Sequence, residues 1–429
     1  MNSNRIVFVC HFSNSRIRRN LKLKEWRLRN LFYKITAHPL RKHKDCDVWV
    51  SDFIEEFEKD KDHEYHIVAT HRGLKKQIQK FSLNGINYTF LKSDGNLLED
   101  IIEAKYKLKQ KNNYNYERRK LKKIIDDIDP ALVVVCGAEM PEYSSICLDI
   151  VERPVFLLLQ TVLNNPELSS MSDEGNGYRA RLEYAIFQKV KYYGSSVKKY
   201  KDLYNEINPN SVCLKTSFPS HCPKKVDVDK KYDFGYYGRA TKNKGIIDLI
   251  KAFAIVLKQF PAATLNIVSE LENSETGDMI RQIIRDNNME KNVVITRPFE
   301  EMEELFLQVQ KSRCMVLPGI TAPINCTVRE SMLMGLPVIM YQTTASIRIN
   351  QSGLNVIEAK MEDVDDLSNK MKSVLSNSDL LGDIKKNGEE YAKLNFNNSE
   401  IVNELVNNFD AIINCYYKGE PIPSSCLFN

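Results

Sequence analysis

Two stretches of the chain combine cations, glycines and a carboxylate at spacings that suit an anionic ligand. The first, GYYGRATKNKGIIDLIKAF at 235–253, carries Arg239 and Lys244 between a predicted strand and a predicted helix. That position suits a diphosphate, because cations and helix N-termini both attract phosphate oxygens. Gly238 ends the predicted strand, and Gly245 opens the helix. The alternative is a solvated loop with ordinary surface charges.

The second stretch, NCTVRESMLMGLPVI at 325–339, predicts a loop, a short helix and a buried strand. The N–H groups of Cys326, Thr327 and Val328 would lie at the helix start, where the first turn offers them no acceptor and phosphate oxygens can bind. Glu330 follows one turn later and can accept two hydrogen bonds from a ribose diol. Alternatively, Glu330 stabilises the helix N-terminus through the helix dipole, worth about 0.3–1 kcal/mol.

The elements that must position these residues alternate along the whole chain. Short apolar strands such as RIVFVC at 5–10 and LPVIMY at 336–341 are separated by amphipathic stretches such as GIIDLIKAFAIVLKQF at 245–260. The strands are apolar throughout, as strands buried on both faces are. The pattern predicts an α/β protein with two Rossmann-like domains, whose parallel sheets present ligands at the carboxyl ends of strands facing a central cleft.

The length of 429 residues suits two domains. A stretch rich in Pro, Lys and Asp, FPSHCPKKVDVDKKYD, separates the two sets of strands. We therefore predict a first domain at 1–217, a linker at 218–231, a second domain at 232–397 and a C-terminal helical segment at 398–429.

The composition is that of a soluble globular protein, and the net charge of +5 is too small to argue for a nucleic acid or membrane partner by itself. None of the ten cysteines forms a C-x-x-C pair, so we expect reduced thiols in a cytoplasmic protein. The N-terminus lacks the pattern of a signal peptide, and no apolar run is long enough to span a bilayer. Asp-x-Asp recurs along the chain by chance, and we predict no metal site.

Together the two stretches resemble the donor domain of the family 4 glycosyltransferases (glycosyl transferases group 1), which share the two-domain GT-B fold. The resemblance covers residues 232–400. It is carried, in order, by Gly-Arg at 238–239, Lys-Gly at 244–245, ATLNIVSE at 263–270, LPG at 317–319, ESMLMGLPVI at 330–339, Gly353 and Asn355.

The resemblance implies a retaining transfer of a sugar, such as a hexose, from a nucleotide diphosphate-sugar to a glycan or lipid-linked acceptor in cell-surface polysaccharide biosynthesis. Arg239 and Lys244 would be the catalytic cations that neutralise the leaving diphosphate, and Glu330 would bind the ribose. Gly238 and Asn325 would complete the donor site with the helix start at 326–328. The donor is a substrate, so no cofactor and no metal is implied. The first domain would bind the acceptor, and the helix at 398–429 would return to it.

The sequence departs from the family at several positions. Ala322 stands eight residues before Glu330, where the family usually has a first Glu. Gln160 stands where a strand of the first domain often ends in a catalytic-site His, and His11 is the one His that directly follows a predicted strand. His11 and Gln160 are our acceptor-side candidates. The departures keep two alternatives open: a non-catalytic relative that binds nucleotide-sugar or glycan, and a GT-B nucleotide-sugar epimerase.

A basic segment at 16–44 contains many Lys and Arg residues but one acid, Glu25, with Trp26 and Tyr33 interleaved. This composition predicts peripheral binding to an anionic membrane surface at the inner face of the cell membrane. A solvated helix face is the alternative. Nucleic acid is a third and less favoured partner by the same electrostatics.

Overall fold

The computed structural model describes residues 4–24, 46, 48–93, 105–165, 174–272, 274–297, 299, 301–320 and 324–428. Contacts divide the chain into two domains. The first comprises Met1–Pro219 with Asn398–Asn429, and the second comprises Ser220–Asn397. The division falls within the segment where the sequence predicts a linker.

The first domain is built on an eight-stranded sheet. Its strands are β1 (Arg5–His11), β2 (Glu64–His71), β3 (Ile78–Leu83), β4 (Ile86–Lys92), β5 (Leu132–Cys136), β6 (Val155–Leu158), β7 (Tyr192–Ser195) and β8 (Val212–Lys215). They lie in the order β3-β4-β2-β1-β5-β6-β7-β8. The central strands β1 and β5 are buried on both faces, which explains their unbroken apolar sequences.

The edge strand β3 is the exception to the parallel arrangement, since it runs antiparallel to β4. The turn between them is Asn84-Gly85, with φ of 50° and 83°. Asn-Gly is the preferred pair for a two-residue hairpin turn, because both positions need positive φ.

The described helices of this part of the domain are α1 (Ser15–Arg18), α2 (Val48–Phe57), α3 (Leu108–Lys111), α4 (Asn115–Ile128), α5 (Pro141–Ser144), α6 (Glu174–Lys189) and α7 (Lys198–Ile207).

The second domain has a six-stranded parallel sheet. Its strands are β9 (Tyr232–Tyr237), β10 (Leu265–Val268), β11 (Val293–Thr296), β12 (Ser312–Val316), β13 (Val338–Tyr341) and β14 (Ile357–Ala359), in the order β11-β10-β9-β12-β13-β14. Its helices are α8 (Ile246–Leu257), α9 (Glu275–Asp286), α10 (Met302–Val309), α11 (Cys326–Leu333), α12 (Thr344–Ile349), α13 (Val364–Ser376) and α14 (Ser378–Asn395).

The strand order of the second domain reverses between β9 and β12. In open α/β sheets, ligands bind at the carboxyl ends of the strands beside such a reversal. The predicted fold class, two Rossmann-like α/β domains with parallel sheets, is therefore confirmed, with β3 as the antiparallel exception.

The last helix, α15 (Asn398–Lys418), belongs to the first domain. The Phe409 ring lies 6.3 Å from the ring of Phe57 and 6.2 Å from that of Phe156. The Asn408 amide donates to the carbonyl oxygen of Lys215 at 2.9 Å, so the end of the chain closes the core of the domain in which the chain begins. Among the helices that the structure describes, none has the length and apolar character needed to cross a bilayer.

A histidine links α15 to the start of β2. The His63 ring lies 2.9 Å from a carboxylate oxygen of Asp60 through Nδ1 and 3.1 Å from one of Asp410 through Nε2. The hydrogen bond to Asp410 and then that to Asp60 raise the pKa of His63, against the opposing effect of burial. The pKa of His63 is higher in the folded than in the unfolded protein. The hydrogen bonds of protonated His63 therefore stabilise the fold fully below the unfolded pKa, and this stabilisation is lost as the pH rises through the folded pKa.

We therefore expect His63→Gln to destabilise the first domain most at low pH. The loss should be about 1.5 kcal/mol near pH 5.5, the lower end for a charged hydrogen bond, because the Asp410 side chain is 55% exposed. Denaturant titrations of parent and variant between about pH 5.5 and 9 measure the difference. A loss of stability that grows as the pH rises would contradict the expected direction.

Candidate functional site in the second domain

The site is centred on the carboxyl end of β9. Gly238 directly follows this strand with φ of 137°, a value that L side chains rarely adopt. The backbone is fixed on both sides: the Gly238 amide donates to the Val268 carbonyl at 3.2 Å, and the Ser269 hydroxyl donates to the Gly238 carbonyl at 2.6 Å. The Tyr236 hydroxyl also donates to the carbonyl oxygen of Arg239 at 2.9 Å. The turn that carries Arg239 is thus rigidly attached to the sheet.

The next turn brings a second loop against the first. A short 3-10 turn, Lys242–Lys244, leads to Gly245. Gly245 has a φ of 69° and is the N-cap residue of α8. A Cβ atom at Gly245 would lie 2.0 Å from the carbonyl oxygen of Pro318, so only glycine fits. The Ile320 amide also donates to the Asn243 carbonyl at 3.1 Å. The loop after β12 therefore packs directly on the turn after β9.

This packing joins two residues that are far apart in sequence. The Nζ of Lys244 donates to Oδ1 of Asn325 at 2.7 Å, across 81 positions of the chain. Asn325 is the N-cap residue of α11, but its side chain makes no capping hydrogen bond. The Lys244 ammonium consequently lies at the positive end of the α11 dipole, where an anion is favoured.

Positive charge accumulates at this part of the site. Burial, and then the charge of Arg239, lower the pKa of Lys244. Among the described residues, no Asp or Glu forms an ion pair with either cation. An anion between Arg239 and Lys244 would offset both the burial and the mutual repulsion, so the arrangement suits a diphosphate.

Glu330 is buried in the first turns of α11, with 6% of its surface exposed. Burial raises its pKa to about 7, although the Tyr237 hydroxyl and the charge of Arg329 act in the opposite direction. The Tyr237 hydroxyl lies 2.8 Å from Oε2 of Glu330 and 2.9 Å from the carbonyl oxygen of Thr327. Among the described residues, Tyr237 is the one side chain shown donating to the Glu330 carboxylate, which has acceptor capacity left for the hydroxyl groups of a ligand.

One expectation for the helix start is wrong. The Val328 amide donates to the carbonyl oxygen of Asn325 at 3.1 Å, so it already has an acceptor. The Val328 side chain is fully buried and cannot reach a ligand. Cys326 and Thr327 remain at the open end of the helix. The methyl carbon of Thr327 lies 3.9 Å from the position of a Cβ atom on Gly238, which brings the two loops together.

The acceptor-side candidates lie in the first domain. His11 ends β1, and its Nδ1 lies 2.8 Å from the Thr70 hydroxyl on β2. Gln160 is half-buried two residues after β6. Ala322 lies outside the described residues. Within the described part of the chain, no group of three or more His, Cys, Asp or Glu side chains could hold a metal ion.

Two residues of interest were not identified from the sequence. Tyr237 contacts Glu330, and its signal was a tyrosine at the last strand position before Gly238. Glu183 on α6 is fully buried and accepts hydrogen bonds from the amides of Leu163 and Asn164, in the loop that follows Gln160. Its signal was an acidic residue on the same helix face as the buried Ile186.

Known proteins resemble this chain in part of its sequence and in its fold. Residues 220–391 match the family model described as Glycosyl transferases group 1. Curated protein sequences give no significant match.

Three solved structures share the fold. Sucrose-phosphate synthase from Thermosynechococcus elongatus is 12% identical, with a TM-score of 0.66, 95% of this chain and 98% of that chain covered. An E. coli structure described as "Trehalose-6-phosphate from E. coli bound with UDP-2-fluoro glucose" is 8% identical, with a TM-score of 0.67 and 94% and 98% covered. Anabaena HepE in complex with UDP and glucose is 12% identical, with a TM-score of 0.61 and 95% and 99% covered.

All the site residues of the second domain, from Gly238 to Glu330, lie inside the matched segment. The chain thus has the GT-B fold, and its residues 220–391 match the family model Glycosyl transferases group 1.

Proposed function

We propose that the chain is a retaining glycosyltransferase of the family 4 type. It transfers a sugar from a nucleotide diphosphate-sugar to a glycan or lipid-linked acceptor in cell-surface polysaccharide assembly, at the cytoplasmic side of the membrane. The observation that carries the proposal is the contact of Lys244 with Asn325, which holds a half-buried cation at the start of α11. The fold and the matched segment support the same activity.

The roles of the residues follow from their charges. Arg239 and Lys244 bind the diphosphate, together with Gly238 and the backbone at Cys326 and Thr327. As the bond between the sugar and the diphosphate breaks, negative charge grows on the leaving oxygen, and positioned cations stabilise it. Glu330 accepts hydrogen bonds from the ribose hydroxyls. His11 and Gln160 are proposed to contact the acceptor from the first domain.

A thermal-shift panel of UDP-, GDP- and ADP-sugars tests the proposal. UDP-sugars are the first donors to test, because two of the three structures described above contain UDP or a UDP-sugar. A ligand at about 100 times its dissociation constant stabilises the folded state by about 2.7 kcal/mol, which is readily measured.

Product analysis then separates the alternatives. Released nucleotide with a glycosylated acceptor supports the transferase, an altered donor sugar supports the epimerase, and binding without turnover supports the non-catalytic relative. No stabilisation by any member of the panel would overturn the proposal.

Membrane binding is proposed through a surface that extends beyond the basic segment at 16–44. Residues 25–44 of that segment lie outside the described residues. In the described part, Leu23 pairs with Leu74, and the Lys75 amide donates to the Lys22 carbonyl at 2.9 Å. A second basic stretch, at 72–80, therefore lies beside the first. We call Arg19, Lys22, Arg72, Lys75 and Lys76, all exposed, the basic surface.

Reversing the charge of Lys22, Lys75 and Lys76 to Glu should weaken binding to vesicles that contain anionic lipid by on the order of a hundredfold. Each cation near such a surface contributes about 1 kcal/mol. Sedimentation with vesicles at low salt is the measurement. The control changes Lys251, Lys258 and Lys291 to Glu, which are exposed on the second domain and alter the net charge equally. If both triple variants lose binding to the same extent, only the total charge matters and the basic surface is not a docking site.

A further inference from the structure

The hydroxyl of Tyr237 lies between two acceptors and has one proton to donate. One acceptor is Oε2 of Glu330 at 2.8 Å, and the other is the carbonyl oxygen of Thr327 at 2.9 Å. The Thr327 carbonyl also accepts from the Ser331 hydroxyl at 2.6 Å. Only 4% of the Tyr237 surface is exposed, so its hydroxyl lies away from bulk solvent.

The protonation state of Glu330 decides which acceptor Tyr237 uses. An ionised carboxylate attracts the hydroxyl proton more strongly than a carbonyl does, since charge-assisted hydrogen bonds are about twice as strong. If Glu330 takes up a proton on Oε2, it becomes a donor and must find an acceptor. The Tyr237 oxygen is at the right distance to accept that proton's hydrogen bond, and the Tyr237 hydrogen then turns to the Thr327 carbonyl.

We propose that Tyr237 is a positioning residue that holds the Glu330 carboxylate ionised and oriented for a ribose diol, and that protonation of Glu330 reverses this hydrogen bond and turns off recognition of the ribose. The inference rests on the proposed function, because it assigns the ribose to Glu330. It goes further in making nucleotide binding depend on pH through a named pair of residues.

The electrostatics around the pair place this change near neutral pH. Burial raises the pKa of Glu330 to about 7, and the hydrogen bond from Tyr237 is the larger of the effects that oppose the rise. The other charged or titratable groups that face the pair are Arg329, which favours the ionised carboxylate, and Cys326, on the same helix. Burial and the charge of Glu330 raise the pKa of Tyr237 itself far above its usual range, so Tyr237 keeps its proton.

The test compares UDP with 2′,3′-dideoxy-UDP by calorimetry between about pH 5.5 and 9. The two ligands carry the same diphosphate, so the dissociation constant of 2′,3′-dideoxy-UDP divided by that of UDP isolates the contribution of the ribose hydroxyls. In the parent the ratio should rise from near one at low pH to about tenfold or more, with its midpoint near pH 7. In Tyr237→Phe the midpoint should move up by about one pH unit or more, so that ribose recognition weakens at pH 7 and recovers at pH 9.

The matched control is Tyr341→Phe. The Tyr341 hydroxyl donates to a carboxylate oxygen of Asp248 at 2.9 Å in the same domain, so this variant also removes a tyrosine–carboxylate hydrogen bond. Its midpoint should stay at the parent value. An unchanged midpoint in Tyr237→Phe, or an equal shift in Tyr341→Phe, would overturn the inference.

A second measurement needs no ligand and separates this inference from the proposed function. The folded pKa of Glu330 is raised, so its contribution to stability is lost as pH rises from the usual value towards pH 7. Tyr237→Phe should extend this loss to higher pH, and its thermal midpoint should fall further below the parent at pH 9 than at pH 5.5. If the thermal midpoints of parent and variant differ by the same amount at pH 5.5 and pH 9, the proton coupling between Tyr237 and Glu330 is rejected. If the difference depends on pH as expected but UDP does not bind, only the assignment of the ribose to Glu330 is rejected.

Discussion

Lys244→Ala should weaken the binding of UDP by about tenfold to a hundredfold, because a hydrogen bond to a charged group contributes about 1.5–3 kcal/mol. Arg239→Ala should have a similar effect. Sugar transfer should slow further than binding weakens, since the charge on the leaving diphosphate is greatest in the transition state. Calorimetric titration measures the dissociation constant of UDP, and initial rates at saturating donor measure the rate of sugar transfer.

The chain offers a matched control in the same turn. Lys242 is exposed and lies two residues before Lys244 in the 3-10 turn, so Lys242→Ala removes the same charge from the solvent side. Its effect on UDP binding should be small. Glu330→Gln is the contrasting change: it should weaken UDP while leaving inorganic diphosphate, which has no ribose, nearly unaffected. If Arg239→Ala and Lys244→Ala bind UDP as the parent does, the diphosphate is held elsewhere.

Gly245→Ala should destabilise the second domain by about 2–5 kcal/mol. A side chain at a φ of 69° costs about 1–2 kcal/mol, and forcing a Cβ atom into a packed site costs about 1–3 kcal/mol more. The carbonyl of Pro318, 2.0 Å from that atom, must move, and with it the loop that holds Asn325 against Lys244. Denaturant unfolding measures the loss of stability, and UDP titration should show weaker binding.

Gly419→Ala separates the two contributions. Gly419 has a φ of 72°, but nothing lies within 4 Å of a Cβ atom placed there. This variant should therefore lose only the conformational part, about 1–2 kcal/mol. Equal losses in the two variants would show that the contact with Pro318 contributes nothing, and that the loops after β9 and β12 are held together by other contacts.

The strands were largely predictable because those of a parallel sheet are buried on both faces. RIVFVC became β1, and LPVIMY became β13. Two strands lack that signal. Strand β3 alternates between exposed and half-buried positions at the sheet edge, and β8 has only two buried residues. The Asn84-Gly85 turn was the local signal for the hairpin.

The candidate site was predictable as far as residue types and order go. Arg239, Lys244 and Glu330 were selected from their positions after strands and at a helix start. The prediction failed for the Val328 amide, because its partner is decided by the geometry of the first helical turn. Tyr237 and Glu183 were missed because each acts through one contact with a residue distant in sequence, which no local pattern records.

The sequence by itself predicted the α/β class, a linker at 218–231, and the turn and the helix start that carry the two cations and Glu330, because these depend on periodicity and local chemistry. Only the tertiary structure decided that Lys244 reaches Asn325, that Gly245 must accommodate Pro318, and that Tyr237 shares its proton with Glu330 and Thr327. These contacts join residues that lie between 73 and 93 positions apart in the chain, and each depends on atoms a few ångströms apart. They exist because the β9 and β12 strands are neighbours in the sheet, a pairing whose register depends on which side chains it buries.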